Sequence, residues 1–181
     1  MNKNIRWIAR TALLLALLVT LQALTKPLGQ IVTGSCVNAI LAIAALIGGL
    51  GCGLTVAVIS PVLAFLLGIA PQVLTVPAIM VGNGVYVALL WLLADKNGKQ
   101  IPRQLVAWIA AAFAKFAALY LVVVKLICGV LAEDLLASGA LKAPMLKALP
   151  ATFSWPLLIT ALIGGAVALV MLPVLRKAVR K

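Results

Sequence analysis

The stretch PLGQIVTGSCVNAILAIAALIGGLGCGLTVAVISPVLAFLLGIAPQVLTVPAIMVGNGVYVALLWLLA, running from Pro27 to Ala94, contains no Asp, Glu, Lys or Arg. A charge-free run of that length fits about three membrane crossings of roughly 20 residues each. The rest of the chain agrees. Of its 181 residues 65% are hydrophobic and 10% charged, against roughly 25% charged in soluble domains, which excludes a water-soluble globule. His is absent and the acidic residues number 3. Most metal sites and most acid–base catalysis therefore lack the residues they need, and neither an enzyme, a cofactor nor a metal site is expected. No Walker glycine loop with Lys-Ser/Thr is present, so the chain has no ATPase of its own.

Working outward, the helical segments read as Ile5–Thr25, Ser35–Leu50, Gly53–Ile69, Val73–Ala94, Gln104–Val130 and Thr152–Leu175. The expected fold is an all-α integral membrane protein, one domain made of a six-transmembrane-helix bundle. Gly48, Gly49, Gly51 and Gly53 divide the long apolar run, and Pro71, Pro102 and Pro150 stand beside expected helix starts, where a missing amide proton is tolerated. The first segment, preceded by Lys3, Arg6 and Arg10 but followed by no small-residue cleavage site, reads as a retained helix and not a signal peptide. Cys36, Cys52 and Cys128 sit in apolar stretches and read as small buried thiols.

Charge sets the orientation. With the amino terminus inside, the inner loops and tails carry Lys3, Arg6, Arg10, Lys96, Lys99, Arg103, Arg176, Lys177, Arg180 and Lys181, against Lys26, Lys142 and Lys147 outside. Basic residues gather on cytoplasmic loops, so both termini are expected to be cytoplasmic. The formal charge of +12 is then a product of topology, and nucleic acid is not expected as a partner. Two outer connections stand out: the short, Gly/Pro-marked Lys26–Gly34, and Leu131–Ala151, which holds Glu133 and Asp134 and reads as a small amphipathic surface helix. No internal repeat of the kind found in many secondary transporters is evident.

One residue is costly. Lys115 lies eleven residues past Gln104, about 16 Å into a hydrocarbon core about 30 Å thick. A charge at that depth costs at least about 2.5–3.5 kcal/mol on insertion scales, and needs a cavity, a partner or loss of its proton. It either donates to backbone carbonyls and helix-end dipoles or meets an anionic or electron-rich group of a ligand; the spans contain no acid to pair with it. Asn83, between Gly82 and Gly84 in VPAIMVGNGVY, falls at a matching depth, fit for an interhelical hydrogen bond or for a ligand. Pro77 in that segment is expected to free a backbone carbonyl one turn earlier. Nearer the outer face, Gln22, Lys26, Gln30, Thr33, Asn38, Lys125 and Trp155 are candidates to roof a pocket. Trp155 and Lys125 also suit an interfacial aromatic and a snorkelling lysine. Ala9, Ala12 and Ala16 form a small-residue stripe for close helix packing, within the chain or with a partner subunit, and Gly164 and Gly165 read as internal packing.

The stripe ARTALLLAL at Ala9–Leu17, the loop KPLGQ, the break GGLGCG and the closing FSWPLLITALIGGAVA together resemble the substrate-binding subunits of energy-coupling factor (ECF) transporters, over the whole chain. That resemblance implies a component of vitamin uptake in a bacterial or archaeal cell membrane, working with a scaffold transmembrane subunit and two ATPase subunits. It implies a ligand held in the outer half by the last three helices and capped by Lys26–Gly34, with release as the subunit tilts in the lipid bilayer. The implied pocket draws on Asn83, Lys115, Lys125 and Trp155, and the implied partner-facing stripe is Ala9, Ala12 and Ala16. Ser60–Pro61 stands where several riboflavin- and folate-type members carry an acid, which points away from those substrates. The competing expectation is a structural membrane scaffold of the rod-shape-determining type, which needs no ligand and gives no account of a midplane lysine.

Overall fold

In lipid every backbone amide and carbonyl must be paired within the protein, so uninterrupted apolar sequence of this kind goes into helices. A computed structural model describes residues 2–69, 72–95 and 100–180, and among them there is helix and no strand. The elements are α1 (Lys3–Thr25), α2 (Gln30–Ile43, continued by a π-helical turn over Ala44–Gly48), α3 (Leu50–Leu66), α4 (Thr75–Leu93), α5 (Ile101–Leu119, continued as π-helix over Tyr120–Val130), α6 (Ala132–Ala137), α7 (Ala143–Thr152) and α8 (Trp155–Arg180). Five of these stretches are long and apolar enough to cross a membrane, whereas α3, at 17 residues, is apolar but shorter.

Packing closes the helices into a ring. α1 lies on α2 and α3, α2 runs along α8, α8 meets α5, α5 lies on α4 and α4 on α3, while α2 also reaches α4 across the middle. One core cluster gathers Leu18, Leu41, Val56, Val87, Ala111 and Ala161. The second holds Ala78, Leu119, Val123, Leu141, Leu149, Phe153 and Leu157. Large apolar side chains such as Leu13, Leu24, Leu66, Val106, Phe113, Val130 and Val170 are exposed on the outside of the ring, a surface suited to lipid and not to water.

Several boundaries differ from those the sequence suggests, for local reasons. The connection Lys26–Gly34 is not a nine-residue loop: a 3₁₀ turn covers Lys26–Leu28, and α2 begins at Gln30. Gly29, with φ +91°, makes the corner in a conformation open mainly to glycine, and Thr33 Oγ1 then donates to Gly29 O at 3.0 Å inside the new first turn. Likewise the break between α2 and α3 is Gly49 alone, at φ +86°, so α3 starts at Leu50 and not Gly53. Pro77 falls in the first turn of α4, where no amide donor is owed and nothing is freed. Pro150 lies inside α7 instead of opening the last long helix, which starts at Trp155.

The Leu131–Ala151 connection is also not one surface helix. It forms α6 and α7, and Leu141 and Leu149 sink into the second core cluster beside Leu119 and Val123, because burial against α5 removes more apolar area than a flat interface would. Glu133 and Asp134 occupy the first turn of α6, and Asp95 Oδ2 accepts from Gln100 N at 3.0 Å ahead of α5. Cys52 is buried, whereas Cys36 and Cys128 are only half-buried. Pro71, Lys96, Lys99 and Lys181 lie outside the described residues.

Candidate functional site

α5 starts at Ile101 and its continuation ends at Val130, so Lys115 lies at the middle of the longest apolar stretch. Its side chain is 3% exposed. Lys115 Nζ donates to Asn83 Oδ1 of α4 at 2.7 Å and to Asn38 Oδ1 of α2 at 2.5 Å, and lies 5.4 Å from the ring centroid of Tyr86. Asn38 Nδ2 in turn donates to Gly34 O at 2.9 Å and to Thr160 Oγ1 of α8 at 3.3 Å. Thr160 Oγ1 donates to Leu157 O at 2.8 Å. Three helices thus meet at one buried ammonium, a fourth is tied in through Asn38, and no carboxylate takes part.

Magnitudes show why this is tolerated. Bonds to a charged group contribute about 1.5–3 kcal/mol each, so two of them offset the insertion cost of about 2.5–3.5 kcal/mol. Two of the three ammonium donors are satisfied, but the net charge has no counter-charge beside it. Close approach is built in: a Cβ on Gly164 would collide with Ser35 O and stand 2.6 Å from Asn38 Cβ, and one on Gly82 would stand 2.5 Å from Leu119 Cγ. Gly164 therefore lets α8 touch the α2 backbone at Asn38, and Thr160, one turn earlier on the same face of α8, brings its hydroxyl to the same place.

Above this network lies a cavity of about 290 Å³, at the small end of the roughly 300–1,000 Å³ usual for ligand pockets. Asn38, Asn83, Lys115 and Thr160 form one side of its lining; Gln22, Lys26, Gln30, Thr33, Gln72 and Thr75 supply more polar groups; Ile79, Leu119, Met145, Leu149, Phe153 and Leu157 supply apolar ones. Gln22 Oε1 is buried without a hydrogen-bond partner among the described residues. Lys26 Nζ, on an exposed side chain, donates to Gly68 O at 2.6 Å and ties the α1–α2 corner to the end of α3.

Seven of the sequence candidates, Gln22, Lys26, Gln30, Thr33, Asn38, Asn83 and Lys115, thus share one cavity. Lys125 and Trp155 do not line it. Lys125 is exposed and lies 5.9 Å from the ring of Tyr120, while Val123 and Ile127 are the buried positions of that stretch. Trp155 is 70% exposed at the start of α8 and stacks on Phe116, with centroids 6.1 Å apart. Ala9, Ala12 and Ala16 are all exposed, while Thr11 and Leu18 turn inward, so the stripe does not pack within this chain. Sequence reading missed Tyr86, Thr160, Gln72, Thr75 and the α7 residues. For Thr160 a signal existed, its spacing of four from Gly164.

A family model described as ECF transporter, substrate-specific component, matches residues 6–176. No curated protein and no solved structure matches the chain. Because the matched region spans nearly all of a helical, membrane-type chain, the protein belongs to the substrate-specific components of ECF transporters.

Proposed function

We propose that this multi-pass membrane protein captures a small vitamin-like nutrient from outside the cell membrane and delivers it inward with the ECF scaffold subunit and two ATPase subunits. Family membership supports the transport role: such components are transport subunits and not enzymes, and they work with scaffold and ATPase subunits on a small-molecule substrate. It sets aside the ligand-free structural scaffold. In this reading the chain is a single domain that crosses the membrane six times, α3 included, with both termini cytoplasmic, as the basic residues favour. The cavity then opens outward and the 3₁₀ turn at Lys26–Leu28 belongs to its lid. Ala9, Ala12 and Ala16 face the scaffold subunit, as their exposure allows.

The observation that carries the reading is the placement of Lys115 on the wall of a cavity with no carboxylate in its lining. A ligand with an anionic or electron-rich group supplies what that wall lacks. Native mass spectrometry of the purified chain tests the proposal: a tight binder retains a small molecule at one per chain. A chain that arrives empty and gains no thermal stability from any fraction of a cell metabolite extract counts against it.

A further inference from the structure

We propose that the group received at Lys115 is a single carboxylate, bound jointly by Lys115 Nζ and Asn83 Nδ2, with Asn38 as a positioning residue. The inference rests on the cavity being the substrate site. It starts from the chemistry of the ammonium, which has three donors and no acceptor. The atom each asparagine turns toward Lys115 must therefore be Oδ1, and both amide NH₂ groups must point elsewhere. Here the two asparagines part company. Asn38 Nδ2 is committed to Gly34 O and Thr160 Oγ1. Asn83 Nδ2 has no hydrogen-bond partner among the described residues and is not among the buried atoms sealed off without one. Asn83 and Lys115 both line the cavity, and two of the three ammonium donors are used.

One free donor from the lysine and two from the asparagine thus stand side by side, joined by the 2.7 Å bond between the two side chains. Adjacent donors, one of them charged, match the two oxygens of a carboxylate. Charge counting narrows the class. Among the described residues the lining contains two cations and no carboxylate, and one of the cations, Lys26, is exposed and tied to Gly68 O. One buried positive charge balances one negative charge. A phosphate monoester carries about −1.5 to −2 and leaves an excess beside Ile79, Leu119 and Phe153, while a cationic ligand meets only like charge. The substrate class is therefore a small monocarboxylic acid with an apolar or weakly polar body.

The test extracts the molecule retained by the full purified chain, counts its acidic groups by methyl esterification and mass, and measures rebinding of the acid and its methyl ester. One carboxylate and no phosphate is expected, with the ester bound at least about tenfold more weakly by the unaltered protein. Asn83→Asp places an acceptor where Nδ2 stood, and is expected to lose the acid while narrowing or reversing the acid-over-ester preference. Lys115→Met is expected to erase that preference. A purely structural role for these two residues would weaken acid and ester alike. A retained molecule with a phosphate, a cationic centre or no acid overturns the carboxylate assignment and leaves the binding-subunit reading standing. A chain that binds nothing overturns both.

Discussion

Lys115 of α5 donates to Asn83 of α4 at 2.7 Å, and this bond sets two polar groups of the cavity wall side by side. The pair stands at the middle of the bundle, where a lone charge costs several kcal/mol. Asn38 holds the ammonium from a third helix at 2.5 Å. The arrangement holds the amine from two neighbouring helices with no carboxylate beside it, the preorganised state a site for an anion needs before its ligand arrives.

Replacing Lys115 with Met removes the charge and keeps the length of the stem. Ligand affinity should fall by about 10- to 100-fold, the worth of a charge-assisted bond. Equilibrium binding by isothermal calorimetry reads this, with circular dichroism to show that helix content is kept. Undiminished affinity excludes the contact.

Lys125→Gln and Trp155→Leu should each change affinity by less than about twofold, as surface substitutions commonly cost under about 0.5 kcal/mol. Neither side chain lines the cavity. A large loss from either in the same binding assay would put the ligand on the other side of α5.

Gly164→Ala brings a Cβ to 2.6 Å from Asn38 Cβ and 2.8 Å from Ala39 N. Backbone cannot give way as a side-chain tip can, so the substitution should cost about 1–3 kcal/mol and lower the apparent melting temperature by several degrees. Because the same shift moves Asn38, ligand affinity should drop as well. An unchanged thermal transition would mean that α2 and α8 sit further apart.

Phe153→Ala empties the α7 side of the cavity. Phe153 is buried in the cluster with Leu119 and Leu157, and the loss should be about 3–5 kcal/mol of stability, with faster ligand release. Stopped-flow dissociation of the retained molecule measures the second effect.

Ala12→Trp with Ala16→Trp alters an exposed face of α1. Binding by the isolated chain should be unchanged, since nothing within the chain is displaced, while uptake by the assembled transporter should stop. Co-purification with the scaffold subunit at the normal level would refute the proposed role of the stripe.

Much of the site was legible because depth in a membrane can be counted along the chain. Lys115 and Asn83 read as midplane residues from helix rise alone, and they do meet. Asn38 and Gln22 were legible as polar groups needing partners, though which partner was not. Lys125 and Trp155 show the limit: their depth was countable, but which way each faces depends on how α5 and α8 pack against the other helices, and both end exposed. The α7 cover was missed for a related reason, since Leu141, Leu149 and Phe153 resemble the apolar side of any interfacial helix until the wall they fall against is known.

The sequence by itself determined that this chain is helical and lives in lipid, because 65% hydrophobic content with 10% charge leaves the backbone no other way to pair its polar groups. It also determined that a cation stands at mid-depth without an acid in reach along its own helix. Only the tertiary structure decided what that cation faces. Ring closure through α2 and α8 brings Asn38 and Thr160 to it from residues far apart in the chain, fixes which amide is spent and which is free, and leaves the void beside them. Such facing depends on how helices pack around one another, a property of side-chain volumes across the whole bundle and not of any one segment.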